Sequence, residues 1–124
     1  MYVRKIRRND KGKKMKYLTK SEEILLLAIW RLKDNVYGVS IRKQVLEITG
    51  EEMTYGTLYS SLDQLVKKGY VHKEIGEPTP ERGGRRKIFY SILPKGYEAL
   101  RQAQELTRTL WGDISDMAFS DGGI

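Results

Sequence analysis

From Thr19 onward the chain alternates between apolar runs and polar punctuation. Ile24, Leu25, Leu26, Leu27, Ile29 and Trp30 cover almost the whole circumference of a helix. Thr19 is an N-cap residue and Glu22 sits where a capping box needs its partner, so a helix is expected from there to about Lys33. A helix that is apolar nearly all round is buried on more than one side. One side serves the core, and in so short a chain the other is expected to meet a second subunit. Asn35 to Gly38 reads as a turn. Ser40 is the expected cap of a second helix with the stripe Ile41, Val45 and Ile48, stopped by Gly50. Thr54 is the expected N-cap of a third helix. Its inward stripe is Leu58, Leu62, Leu65 and Val66, its outward face is Gly56, Thr57, Ser60, Asp63, Gln64 and Lys67, and Gly69 ends it.

The period then changes. Val71 to Ile75 reads as a short strand and Lys87 to Ile92 as its returning partner. Between them, Pro78, Pro80, Gly83 and Gly84 hold a long loop out of the ladder. Pro94 suits the first position of a last helix. Its apolar residues Ala99, Ala103, Leu106, Leu110, Ile114 and Met117 recur every three or four positions, close to a coiled-coil seam. Three helices, a two-stranded wing and a terminal helix make a mainly α (α+β) chain with a winged helix-turn-helix layout. The expected divisions are a basic, unstructured arm over 1–17, a winged-helix domain over 18–93, a dimerisation helix over 94–119 and a frayed tail over 120–124.

Composition narrows this further. The 124 residues suit one domain, and 40% apolar with 31% charged residues suits an ordinary globular chain. No stretch approaches the roughly 18 apolar residues of a membrane span. No apolar segment follows the basic N-terminus, so it does not resemble a secretory signal. The absence of cysteine removes disulfides, thiolate nucleophiles and Cys-based zinc sites, and fits a cytoplasmic setting. The net charge of +7 is concentrated in Arg4, Lys5, Arg7, Arg8, Lys11, Lys13, Lys14 and Lys16, opposed there only by Asp10. From residue 19 onward cations and anions balance. A basic arm on a neutral body suits a nucleic-acid binder; a solubilising tail, or an upstream extension before Met15, is the plainer alternative.

Three surfaces carry the candidate chemistry. The start of the third helix offers Thr54, Tyr55, Thr57, Tyr59, Ser60 and Ser61. Small hydroxyl side chains let a helix approach a groove floor, and a helix N-terminus favours phosphate. Tyr55 and Tyr59 lie at the edge of the inward stripe, so core packing is an equal reading. The wing offers Arg82, Arg85, Arg86 and Lys87, with two glycines that permit close approach to a DNA backbone; Lys87 has the alternative of pairing within the sheet. The third surface combines the first and last helices: Leu26, Trp30, Ala99, Ala103, Leu106, Leu110 and Ile114 as a dimer interface. Trp30 and Trp111 belong to core, seam or a flat ligand pocket. Catalysis has little support. His72 is the only histidine, has no motif around it, and no nucleophile or phosphate-loop pattern is present.

The chain resembles the PadR family of bacterial transcription regulators. The likeness rests on Leu25-Leu26-Leu27, Tyr37-Gly38, Gly56-Thr57-Leu58-Tyr59, Leu65 through Gly69, and Gly84-Arg85-Arg86-Lys87 with Tyr90. It implies sequence-specific binding of double-stranded DNA at a palindromic operator by a homodimer, usually a repressor released by a small molecule or stress signal. Some members bind planar compounds at an aromatic dimer centre, for which Trp111 is the matching kind of residue. Where the family commonly caps the last helix with threonine, this chain has Leu93 followed by Pro94. The short last helix fits the compact branch of the family. The rival reading is a winged-helix module that binds another protein; RNA binding is less favoured, because the tyrosines are tied to a helix edge.

Overall fold

The computed structural model describes residues 17–78 and 86–114. The order is α1 (Lys20–Leu32), α2 (Gly38–Thr49), α3 (Tyr55–Lys67), β1 (Val71–Pro78), β2 (Arg86–Ile92) and α4 (Pro94–Trp111). The expected arm, the tip of the wing with Arg82 and Arg85, and the tail with Met117 lie outside the described residues.

Helix α1 starts as its sequence requires. Thr19 Oγ1 accepts from Glu22 N–H at 3.1 Å, and Glu22 Oε1 accepts from Thr19 N–H at 2.9 Å. Two N–H groups that the helix leaves unpaired are satisfied by one reciprocal pair. Helix α2 starts differently from expectation. Tyr37, not Ser40, is its N-cap residue, and Ser40 sits in the first turn. Ser40 Oγ accepts from Tyr37 N–H at 3.1 Å and donates to the Asn35 carbonyl at 2.6 Å. Serine therefore reaches backward to hold the turn instead of capping forward. Gly50 ends α2 with φ 79°, and Gly69 follows α3 with φ 81°, left-handed conformations that glycine adopts without steric cost.

The core lies where α1, α2, α3 and the sheet converge. Leu25, Leu26, Ile29, Ile41, Val45, Leu58, Leu62, Leu65, Val71 and Tyr90 form its cluster, with Leu100 of α4 packed against it. The inward stripe of α3 is as expected. Ile48, assigned to the stripe of α2, is instead exposed.

β1 and β2 pair antiparallel from Val71↔Ile92 to Ile75↔Ile88, with a register shift before Pro78↔Arg86. The strand thus runs past Ile75, where Gly76 was expected to begin a loop. A Cβ at Gly76 would stand 2.7 Å from the Phe89 ring, so the glycine is what lets the strand continue beneath it. On its other edge β2 receives the segment before α2: Tyr37 bridges Phe89, and Tyr90 N–H donates to the Val36 carbonyl at 2.9 Å.

Candidate nucleic-acid interface

Helix α3 is held from below by leucines, and its outer face is held by its own start. Thr54 Oγ1 accepts from Thr57 N–H at 3.1 Å and donates to Thr57 Oγ1 at 3.0 Å. The Thr54 proton is thereby committed, and the Thr57 hydroxyl keeps its own proton to donate outward. Ser60 is exposed on the same face and Ser61 is half-buried at its edge.

Tyr55 and Tyr59 divide between the two readings. They are 40% and 39% exposed and stack on each other, with ring centroids 6.1 Å apart and planes 22° apart. Tyr59 also packs inward: a Cβ at Gly38 would lie 2.7 Å from its Cζ and closer still to its hydroxyl. Tyr59 therefore joins α3 to the start of α2, and Tyr55 is the more outward ring.

Two residues that the sequence did not mark belong to this face. Arg42 of α2 donates through Nε to the Met53 carbonyl at 2.6 Å and lies over the Tyr55 ring, Cζ 4.5 Å from its centroid. Its Nη2 is 3.5 Å from Glu52. Lys73 of β1 pairs with Asp63 of α3 at 3.5 Å. The Asp63 charge, which would repel phosphate, is thus partly offset from the sheet. Beneath them, burial pushes the Tyr90 phenol up to about 12, and the nearby Asp63 carboxylate and Tyr59 act in the same direction. Neither Arg42 nor Lys73 has a signal in local sequence, because each acts on a residue ten or more positions away.

In the wing, Arg86 is exposed and Lys87 turns back over the fold, its Nζ 4.4 Å from the Tyr37 ring centroid. Lys87 therefore contributes to packing between β2 and the turn before α2.

The dimer candidates separate into covered and open residues. Leu26 is 0% exposed within the single chain, so it is a core residue with no surface to offer a partner. α1 opens outward through Leu27 and Trp30 instead, the latter 47% exposed with Lys33 Nζ 4.3 Å over its ring. On α4, Ala103 is buried, Ala99 and Leu106 are half-buried, and Leu110 is 65% exposed. The helix ends at Trp111, with Gly112 at φ 42°, so Ile114 lies past the helix and off the expected seam. Trp111 and Ile114 are both exposed. As expected, Pro94 occupies the first turn of α4 and Leu93 provides no side-chain cap. Among the described residues no helix is long and apolar enough to cross a membrane, and no cluster of metal-ligating side chains occurs.

The profile of the transcriptional regulator PadR-like family matches residues 26–102, from the middle of α1 into α4. The chain belongs to that family. Solved structures share the fold of this PadR-like chain. A complex structure of hsRosR is 26% identical, with a TM-score of 0.61 over 94% of this chain and 90% of that chain. A transcriptional regulator from Clostridium thermocellum is 27% identical, with a TM-score of 0.57 over 77% of this chain and 92% of that one. A winged-helix DNA-binding protein from STIV is 17% identical, with a TM-score of 0.59 over 79% and 98%, a likeness of fold alone. Among curated proteins, none matches the chain in sequence. The winged helix is thus the fold of this PadR-like chain, and transcription regulation is the work of its family.

Proposed function

We propose that this PadR-like chain binds double-stranded DNA as a homodimer and represses transcription until a small planar molecule or a stress signal releases it. The observation that carries the reading is the outer face of α3. It presents the small hydroxyl side chains of Thr57, Ser60 and Ser61, with Thr57 fixed to the cap residue Thr54. Thr57, Ser60 and Ser61 face the major groove, while Thr54, Tyr55 and Tyr59 hold the start of the helix and border the groove. Arg82, Arg85 and Arg86 grip phosphate or a narrow minor groove. Lys87 supports the base of the wing.

Self-association is supported by the exposed apolar residues Leu27 and Trp30 of α1, Leu110 and Trp111 of α4, and Ile114 just beyond it, with half-buried Leu106 beside them. Burying such residues together is favourable by about 25 cal/mol per Å² of apolar surface. Pairing through α4 would present two α3 helices to half-sites about 34 Å apart, on an imperfect palindrome. Trp30 and Trp111 are exposed aromatic residues of the kind on which a planar effector would stack. The basic arm adds attraction to the DNA backbone, and the setting is the cytoplasm.

The test is selection from a randomised duplex library at two salt concentrations. Enrichment of a palindrome with half-sites about one turn apart supports the reading. Binding that is uniform across sequences and vanishes with salt would leave only a non-specific basic arm, and would favour a protein-interaction module.

A further inference from the structure

We infer that Arg42 is a specificity-determining residue of the DNA interface, acting by positioning the start of α3 and not by contacting phosphate. The inference rests on the DNA-binding reading of α3.

Arg42 attaches to the chain around the cap of α3. Thr54 is the N-cap of that helix. The residue before it, Met53, gives its carbonyl to Arg42 Nε at 2.6 Å, and the residue after it, Tyr55, lies under the guanidinium with Cζ 4.5 Å from its centroid. One planar group from α2 therefore grips the chain on both sides of the cap. Tyr55 passes the constraint to Tyr59, its stacking partner, and Tyr59 closes on the backbone of α2 at Gly38. The result is a closed loop of contacts from α2 through Arg42, Tyr55 and Tyr59 back to α2. Thr54 and Thr57 are bonded to each other inside it. The side chains facing a groove have no strong directional preference of their own. A hydroxyl accepts or donates as its surroundings allow, so its selectivity depends on where the helix holds it. A helix start that shifts by a fraction of an ångström would still bind phosphate but would lose the bases.

The electrostatics also favour positioning. Glu52 stands 3.5 Å from Nη2 and offsets the Arg42 charge, and the Arg42 side chain is only 26% exposed. A cation meant for the backbone is better left unopposed in solvent. Lysine cannot replace arginine here. It carries the charge but lacks both the planar face that stacks on Tyr55 and the fixed Nε–H aimed at Met53.

The test compares wild type, Arg42→Lys, Arg42→Ala and Tyr55→Leu, first by duplex selection and then by affinity for the selected and a scrambled duplex across a salt series. All are measured well below each variant's melting temperature, so that stability does not enter the ratio. Positioning predicts that Arg42→Lys and Arg42→Ala each lower the selected-to-scrambled affinity ratio by about tenfold or more, the discrimination that one well-placed base interaction supplies. It also predicts salt slopes unchanged from wild type. Arg42→Lys combined with Tyr55→Leu should lose little more specificity than Tyr55→Leu alone, because the two act as one unit. Arg42→Lys remains decisive if Arg42→Ala fails to fold. The inference is overturned if Arg42→Lys keeps the wild-type ratio, or if Arg42→Ala reduces the salt slope by about 0.9 for each phosphate it leaves unneutralised. It is overturned together with the DNA-binding reading if wild type itself enriches no sequence.

Discussion

The molecule has two open faces, and they are open in different ways. The outer face of α3 is polar, and several of its groups are already bonded: Thr54 to Thr57, Arg42 to Met53 and Tyr55, Asp63 to Lys73. The outer sides of α1 and of the end of α4, with the residues just after it, display Leu27, Trp30, Leu110, Trp111 and Ile114 to solvent. Water can wet the first face without disturbing it, because its order comes from within the chain. The second face exposes apolar surface that water disfavours, and it gains by being covered. Their difference teaches that order and completeness are separate properties. The polar face is ordered before it meets anything, whereas the apolar residues would gain from being covered, as the proposed self-association would do.

The largest expected effect comes from breaking the apolar face. Leu27→Asp with Leu110→Asp should halve the mass seen by sedimentation and leave far-ultraviolet circular dichroism unchanged. Affinity for a full palindrome should fall by roughly 100-fold or more, because two linked half-sites exceed one by such factors. An intact dimer in that variant would place the interface elsewhere. A smaller loss is expected at the wing. Arg85→Ala with Arg86→Ala should weaken binding to all sequences and flatten the salt dependence by about 0.9 in log–log slope for each phosphate no longer neutralised. An unchanged slope would remove the wing from the interface.

The two faces differ too in how readily they are read from sequence. Helix positions were legible because Thr19, Thr54, Gly50, Gly69 and Pro94 each act within four residues of themselves. The winged layout followed from their order. Which side of α1 faces out was not legible. Leu25, Leu26 and Leu27 are consecutive and chemically alike, and only the packing of α2, α3 and β2 against α1 makes Leu26 core and Leu27 surface. Ser40 misled because serine at that spacing serves equally as a cap or as a backward tether, and the bridge between Tyr37 and Phe89 decides for the tether. A helix end beyond Trp111 was expected because the apolar repeat continues past Gly112, whose positive φ ends α4 there. Arg42 and Lys73 were invisible because their partners are brought near only by the tertiary fold.

Within the polar face, Thr54→Ala should cost about 1 kcal/mol of stability, the usual loss for an N-cap. It should also free the Thr57 hydroxyl to rotate. Thermal melting and duplex affinity should therefore both fall, affinity most for the selected site. A variant that melts as wild type would mean that solvent caps α3 equally well.

The smallest effects are expected from pH. Burial pushes the Glu22 carboxyl up, but hydrogen bonds from Lys68 and the Thr19 backbone, with the Lys68 charge, more than offset this and leave it below its ordinary 4.5. The Glu22–Lys68 pair joins the start of α1 to the end of α3. Because the folded-state value is lowered, its contribution is present above pH 4.5 and is lost as pH falls through that lowered value. Glu22→Gln should therefore be less stable than wild type near neutrality, and the gap should close on acidification. Tyr90 runs the other way. Its phenol is raised from 10 to about 12, so the stability it contributes is present below pH 10 and is lost as pH rises toward 12. Tyr90→Phe should resist alkaline unfolding better than wild type, and equal alkaline midpoints would show that the phenol titrates freely.

The first turn of α4 is bolted to the end of α3. Leu93 N–H donates to the Tyr70 carbonyl at 2.9 Å. Gly96 sits so near that same oxygen that a side chain there would collide with it, and would also come 2.8 Å from Ile92 Cγ2. Tyr70 directly follows the glycine that ends α3. The joint ties the start of α4 to the residues that follow α3, so a turn of α4 would carry to α3 about an elbow at Tyr70. If two chains join through α4, a small rotation at their joint is magnified along the arm and changes the span between the two reading helices. A molecule wedged at that joint would then disengage the pair from DNA without touching either reading helix.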